Sequence, residues 1–124
     1  MDLGEYLTSD ATTLARLVAT EQVTPAELLA LARRRSEAVN PTLNAIVAPL
    51  TEVADARAAD PALAGPFAGV PFLVKDLGQE YAGFATSNGS RAHAKDIATE
   101  RNSGARTEGG GARGDAPCPG AKWR

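Results

Sequence analysis

Five consecutive apolar residues, Val70 to Val74, separate a Gly/Pro-rich turn from the pair Lys75-Asp76. An apolar run of this length between turn signals is typical of a strand that is covered on both faces, as in a sheet flanked by helices. The carboxyl ends of such strands are where open α/β sheets bind their ligands. The sequence therefore predicts that Lys75 lies at a functional edge of a sheet.

The clearest helix signal lies upstream of this strand. Thr24 suits the N-cap position, Pro25 the first helical position and Glu27 the third, which together make a capping box. These residues predict a helix over about 25–39 that ends before Pro41.

The other segments alternate between helical and extended patterns. A first helix is expected after Ser9 or Asp10, a strand over 44–48, and a short alanine-rich helix that stops at Pro61. With the strand at 70–74, this order predicts an α/β fold in which helices cover a sheet. The polar stretch beyond Asp76 should be loop, with Gly89 in a turn, and is a plausible rim of an active site.

Charge and composition exclude several functions. The 13 basic and 15 acidic residues give a net charge of −2, so neither nucleic acid nor an anionic membrane surface is an expected partner. The single cysteine, Cys118, forms no internal disulfide, and no Cys/His cluster suggests zinc, so we expect no metal or cofactor. The acidic N-terminus lacks the features of a secretory signal, which favours a cytoplasmic protein. The basic triplet Arg33–Arg35 is interpreted as solvated helix surface.

The chain changes character near residue 100. Residues 1–100 contain 8 basic and 13 acidic side chains, whereas 101–124 contain 5 and 2, with six glycines and no Leu, Ile, Val or Phe. Such a segment has little apolar surface to offset the entropy lost on ordering, so 101–124 is expected to be a disordered tail.

Lys75 can be assigned a chemical role from its predicted position. Most lysines are solvated surface residues, but a lysine at the end of a covered strand is partly desolvated, which penalises the ammonium form. An uncharged lysine can act as a general base. The lone His93 is interpreted as a loop residue, because no partner for it is evident in the sequence.

The motif GVPFLVKD (69–76), followed by GFATSNGSR (83–91), resembles the first block of the amidase signature family, serine hydrolases with a Ser-Ser-Lys triad. The segment TPAELLALARRRSEAVNPTLNAIV (24–47) is also similar to that family, and the likeness covers about residues 10–100. The resemblance implies the N-terminal part of an α/β/α fold with a mixed sheet. It also implies that Lys75 is the catalytic base, which acts through a bridging serine on a nucleophilic serine that attacks a small amide substrate. Asp76 is expected to have a supporting role.

The resemblance implies a GGSSGGS-type block that carries the bridging serine and a nucleophilic serine that follows it, and neither is found in the 124 residues. The chain is therefore interpreted as 1–100 from an amidase domain, ending early, and inactive alone. One base out of frame, TEGGGARGD (107–115) can encode RRAAGLVV, a sequence of the family's type, so a frameshift is a hypothesis for the tail.

Two other interpretations remain open. The chain could be a small non-catalytic binding domain that uses the Arg33–Arg35 face, or a fragment of the A subunit of a tRNA-dependent amidotransferase. The segment GQEYAGFATSNGS (78–90) favours stand-alone amidases, including those that act on cyclic or oligomeric amides. The sequence indicates neither the substrate nor the oligomeric state.

Overall fold

A computed structural model of the protein describes residues 1–97 and the backbone of a further strand at 118–123. Three helices precede the first strand, a fourth helix separates the first two strands, and a 3₁₀ turn lies between the second and third strands. The elements are α1 (Leu3–Thr8), α2 (Ala11–Ala19), α3 (Pro25–Leu43), β1 (Ile46–Pro49), α4 (Thr51–Ala58), β2 (Pro71–Lys75), the 3₁₀ turn (Arg91–His93) and β3 (Cys118–Trp123). None of the helices in the described part of the chain is long and apolar enough to cross a membrane.

The predicted capping box at the start of α3 is confirmed. The Thr24 hydroxyl accepts from the Glu27 N–H at 3.2 Å, and the Glu27 carboxylate accepts from the Thr24 N–H at 2.7 Å. The predicted end of this helix is wrong, since α3 continues through Pro41 to Leu43. Proline removes one hydrogen bond and clashes with the preceding turn in a helix interior, but here it lies in the exposed last turns, where water can solvate the freed carbonyl.

Asn40 connects α3 to β1. Its side-chain amide accepts from the Ile46 N–H at 2.8 Å and donates to the Ile46 carbonyl at 3.1 Å, so one side chain satisfies both backbone groups of the first strand residue. Asn44 ends the helix in the left-handed conformation (φ 46°), which asparagine tolerates better than most residues.

The N-terminal helices differ partly from the prediction. α2 begins after Asp10, which is one of the two expected N-caps. Its side chain accepts a hydrogen bond from the Thr13 N–H. The preceding helix α1 was not expected. It starts with a capping box of its own, in which Asp2 and Glu5 exchange hydrogen bonds between side chain and backbone.

The sheet is mixed, in agreement with the predicted fold class, and its strand order is β1-β3-β2. β3 pairs antiparallel with β1 and parallel with β2, so that Lys75 lies opposite Trp123 in the register. The structure differs here from the expected disorder of 101–124, because Cys118–Trp123 forms the middle strand. A middle strand gains backbone hydrogen bonds on both edges and so can form in a segment that has no Leu, Ile, Val or Phe. The rest of the predicted tail lies outside the described residues.

Three clusters of buried side chains form the core of the described residues. The first joins α2 and α3 to the residue before β2, the second joins α3 to α4, and the third joins the end of β2 to the loop after it. Their buried members are Leu14, Val23, Leu28 and Val70; Leu29 and Ala54; and Leu50, Val74 and Tyr81. Helices and loop together therefore hold β2 at both of its ends.

Candidate active site

Lys75 is the last residue of β2, one position beyond the predicted strand of 70–74. It is half-buried and lies between two buried neighbours, Val74 and Asp76. The strand is not covered on both faces as predicted, because Leu73 is 41% exposed. The five apolar residues therefore indicated a strand correctly, but they overstated how much of it the described elements bury.

The start of β2 is fixed against two helices. Val70 packs with Leu14 of α2, with Leu28 of α3 and with Val23, which lies between these helices. Gly69, just before it, has φ 78°, and a β-carbon there would lie 2.8 Å from Pro25 Cγ. The glycine is therefore required both by its backbone conformation and by the close approach of α3.

The backbone turns sharply directly after Lys75. The Lys75 N–H donates to the side-chain oxygen of Gln79 at 2.6 Å, and the Gly78 N–H donates to the Asn88 side-chain oxygen at 3.2 Å. Gly78 has φ 70°, which glycine adopts without strain. Gly78 and Asn88 are ten residues apart, and their contact brings the chain back toward the end of β2.

Asp76 binds the returning chain directly. Its side chain is 4% exposed, and its two carboxyl oxygens accept from the N–H and the hydroxyl of Ser87 at 3.2 and 2.5 Å. Burial of a carboxyl group is costly unless it is hydrogen-bonded, and Ser87 supplies two of the required donors. The expected supporting role of Asp76 thus corresponds to an observed contact within the fold.

Apolar contacts hold the middle of this loop. Tyr81 is buried with Leu50 and Val74, and its ring meets that of Phe84 edge to face at a centroid distance of 5.7 Å. Thr86 donates its N–H to the Asp96 carbonyl, which joins the loop to the following segment. Segment 77–88 is therefore a compact loop whose ends are close together, of the kind that often carries functional residues.

The two serines that follow Lys75, Ser87 and Ser90, have partners within the fold. Ser87 donates to Asp76, and the Ser90 hydroxyl accepts from the Ala92 N–H at the start of the 3₁₀ turn. His93 does have a carboxylate partner that the sequence analysis missed, since its Nδ1 lies 2.7 Å from Asp96 on the exposed 3₁₀ turn.

The basic triplet on α3 is partly engaged within the fold. The Arg33 guanidinium contacts the Asp55 carboxylate at 2.6 Å and donates to the Thr51 carbonyl at 3.1 Å, which joins α3 to α4. This ion pair is partly solvent-exposed and contributes on the order of 0–1 kcal/mol. Arg33 thus supports helix packing and differs from the solvated surface that was expected, whereas Arg34 and Arg35 are exposed in agreement with it.

Gln79 and Ser87 are the residues near Lys75 that the sequence analysis did not single out. A signal was present in the segment TSNGS (86–90), because short polar side chains beside glycine favour hydrogen bonds to nearby backbone groups. That signal marks a tight turn. It does not reveal which distant residue the serine or asparagine will meet.

Known proteins share sequence with this chain. The chain is 45% identical over 71 residues to a 6-aminohexanoate-cyclic-dimer hydrolase of Pseudomonas sp. (strain NK87), an alignment that covers 57% of the chain and 14% of that relative. It is 40% identical over 87 residues to a lipoamidase of Enterococcus faecalis, covering 69% of the chain and 12% of the relative. The chain thus matches less than a fifth of the length of either relative.

Similarity extends to solved structures. The structure of a 6-aminohexanoate cyclic dimer hydrolase superposes with a TM-score of 0.81 at 29% identity, over 100% of this chain and 24% of that one. The sequence model of the Amidase family matches residues 27–104, a range that includes most of α3, all of β2 and the loop after Lys75. This chain therefore belongs to the amidase family.

Proposed function

We propose that this chain supplies the lysine-bearing part of an amidase that hydrolyses the C–N bond of a small carboxylic amide. The observation that carries the proposal is the position of Lys75: half-buried, at the carboxyl end of β2, within the GVPxxxKD motif and inside the segment that matches the family. A lysine held at such a site can exchange a proton with a neighbouring hydroxyl.

In this mechanism Lys75 is the base. It takes the proton of a nucleophilic serine through a bridging serine, and the serine oxygen attacks the amide carbonyl. The C–N bond then breaks, the amine leaves with the proton, and water hydrolyses the acyl-enzyme to the free acid. The GGSSGGS-type block that would provide the bridging serine, and the nucleophilic serine that would follow it, are not among the 124 residues. We therefore expect no turnover by these 124 residues alone.

The substrate class follows from the relatives. Their names refer to a cyclic dimer of 6-aminohexanoate and to a lipoamide, and the amide bond is what these two compounds share. A small amide, cyclic or oligomeric, is the substrate that we propose for the complete enzyme. No cofactor enters the mechanism, because the lysine and the two serines together account for every proton transfer.

A hybrid enzyme tests the assignment. In this hybrid, residues 1–97 of the chain replace the matching segment of a 6-aminohexanoate-cyclic-dimer hydrolase, which provides the rest of the site. Lys75→Ala should lower kcat for the cyclic dimer by about 10²- to 10⁴-fold, which is what general-base catalysis contributes. Lys95→Ala is the matched control, because Lys95 is an exposed lysine of the segment that follows the loop. An active hybrid that retains full activity after Lys75→Ala would refute the assignment.

A further inference from the structure

We propose that Asp76 is a positioning residue for Lys75, and that it acts through Ser87 by holding segment 77–88 against the end of β2. The inference rests on the proposed function, because it assigns a role relative to Lys75 as the base. It goes beyond that function by naming a residue pair, Asp76 and Ser87, that sets the geometry of the base.

The first step of the argument is the burial of Asp76. A carboxyl group that is 4% exposed loses its hydration and must find donors inside the protein. Ser87 provides two, its N–H and its hydroxyl, one to each carboxyl oxygen. This two-point contact fixes the orientation of Ser87 as well as its distance, and a single hydrogen bond could not do so.

The second step is that the contact closes a loop beside Lys75. Asp76 and Ser87 are 11 residues apart, and the neighbouring contact of Gly78 with Asn88 closes the same loop. The Lys75 N–H donates to Gln79, which lies inside this loop. The loop therefore fixes the position of the Lys75 backbone at the end of β2, and Asp76 fixes the position of the loop.

The third step concerns catalysis. With Val74 packed in the core and Asp76 bound to Ser87, the backbone on both sides of Lys75 is held. A displacement of about 1 Å of a reacting group can cost about 10²-fold in rate. Loss of the Asp76–Ser87 contact should therefore lower kcat while substrate binding changes little.

The first test uses the full 124-residue chain and acetic anhydride as the probe. Competitive labelling, read by mass spectrometry across a range of pH, gives the reactivity of Lys75 relative to Lys95. Asp76→Ala and Ser87→Ala should each change the reactivity of Lys75 relative to Lys95 by at least about 3-fold. Asp76→Asn and Ser87→Thr, which can still hydrogen-bond, should keep this reactivity close to that of the parent. Thr24→Ala, which weakens α3 without touching the loop, is the control for general loss of stability. If Thr24→Ala alters the Lys75 profile as much as Asp76→Ala does, the positioning role is wrong.

The second test uses the hybrid enzyme and separates the two proposals. Asp76→Ala should lower kcat about 10- to 100-fold with KM changed less than about 3-fold, and Asp76→Asn should recover most of the activity. If Lys75→Ala abolishes activity but Asp76→Ala leaves kcat unchanged, the inference fails and the proposed function stands. If Lys75→Ala has no effect, the proposed function fails, and the labelling result still decides whether Asp76 controls the surroundings of Lys75.

Discussion

Gly69 approaches Pro25 so closely that a β-carbon on the glycine would lie 2.8 Å from Cγ of the proline ring. The same β-carbon would lie 3.1 Å from Val18 Cγ1, so Gly69 occupies the point where α2 and the start of α3 meet the segment that enters β2. The helix that carries the capping box and the strand that carries Lys75 are thus in contact through a residue without a side chain.

Gly69→Ala should therefore destabilise the fold by about 2–5 kcal/mol, since left-handed backbone costs an alanine roughly 1–2 kcal/mol and overpacking adds about 1–3. Gly83→Ala is the matched control, because Gly83 also has a positive φ, of 84°, but no atom within 4 Å of the added β-carbon. The midpoints of urea unfolding measure both. Equal losses in the two variants would mean that the contact with Pro25 contributes nothing.

Asn40→Ala should also destabilise the protein. The amide makes two hydrogen bonds with the partly buried backbone of Ile46, and truncation leaves both groups of that residue without this partner. The expected cost is about 1–3 kcal/mol in the free energy of unfolding. Asn40→Asp keeps the acceptor for the Ile46 N–H but sets a carboxylate oxygen against the Ile46 carbonyl near the C-terminal end of α3, so it should destabilise the protein as well. Urea unfolding measures both variants, and an Asn40→Ala protein as stable as the parent would contradict the two-bond connection.

The acid sensitivity of the fold should depend on Glu27. Hydrogen bonds from the Thr24 N–H and then from the Thr24 hydroxyl hold the pKa of Glu27 below its ordinary value of 4.5. A carboxylate whose pKa is lower in the folded state stabilises the fold above its unfolded pKa, and this contribution disappears as the pH falls through the folded pKa. The stability advantage of the parent over Glu27→Gln should thus be greatest at neutral pH and should shrink in acid. Urea midpoints of both proteins over the pH range measure this difference. A stability advantage of the parent that grows as the pH falls would contradict the prediction.

Local residues explain why the helix starts were predictable. A cap and its partner lie three residues apart, so Thr24 with Glu27 and Asp10 with Thr13 can be read directly from the chain. The end of α3 was less predictable, because Asn40 meets Ile46 across the helix terminus and the helix continues past Pro41. The strand at β2 was predicted within one residue, since an apolar run between turn signals is also a local pattern.

Contacts between distant residues account for what the sequence did not reveal. Lys75 was identified from its motif and from the apolar run before it, but Asp76 and Ser87 meet across a loop whose path no local pattern specifies. β3 was missed for a related reason. Its segment, Cys118–Trp123, contains Pro119 and Gly120, which weaken a strand signal, and only the neighbouring strands of the folded sheet supply its backbone partners.

The isolated chain should self-associate. β1 and β2 are the outer strands of the described sheet, so each pairs with β3 on one edge only, and Leu73 of β2 is 41% exposed. An open edge beside exposed apolar surface favours pairing with another copy.

Leu73→Lys should shift the population toward monomer, because a charged side chain on an edge strand opposes such pairing. Leu43→Lys is the control, since Leu43 is 65% exposed but lies at the end of α3. Sedimentation velocity at micromolar concentration measures the effect. A parent chain that is monomeric and unfolds in one cooperative thermal transition would show that the edges of β1 and β2 do not pair with another copy.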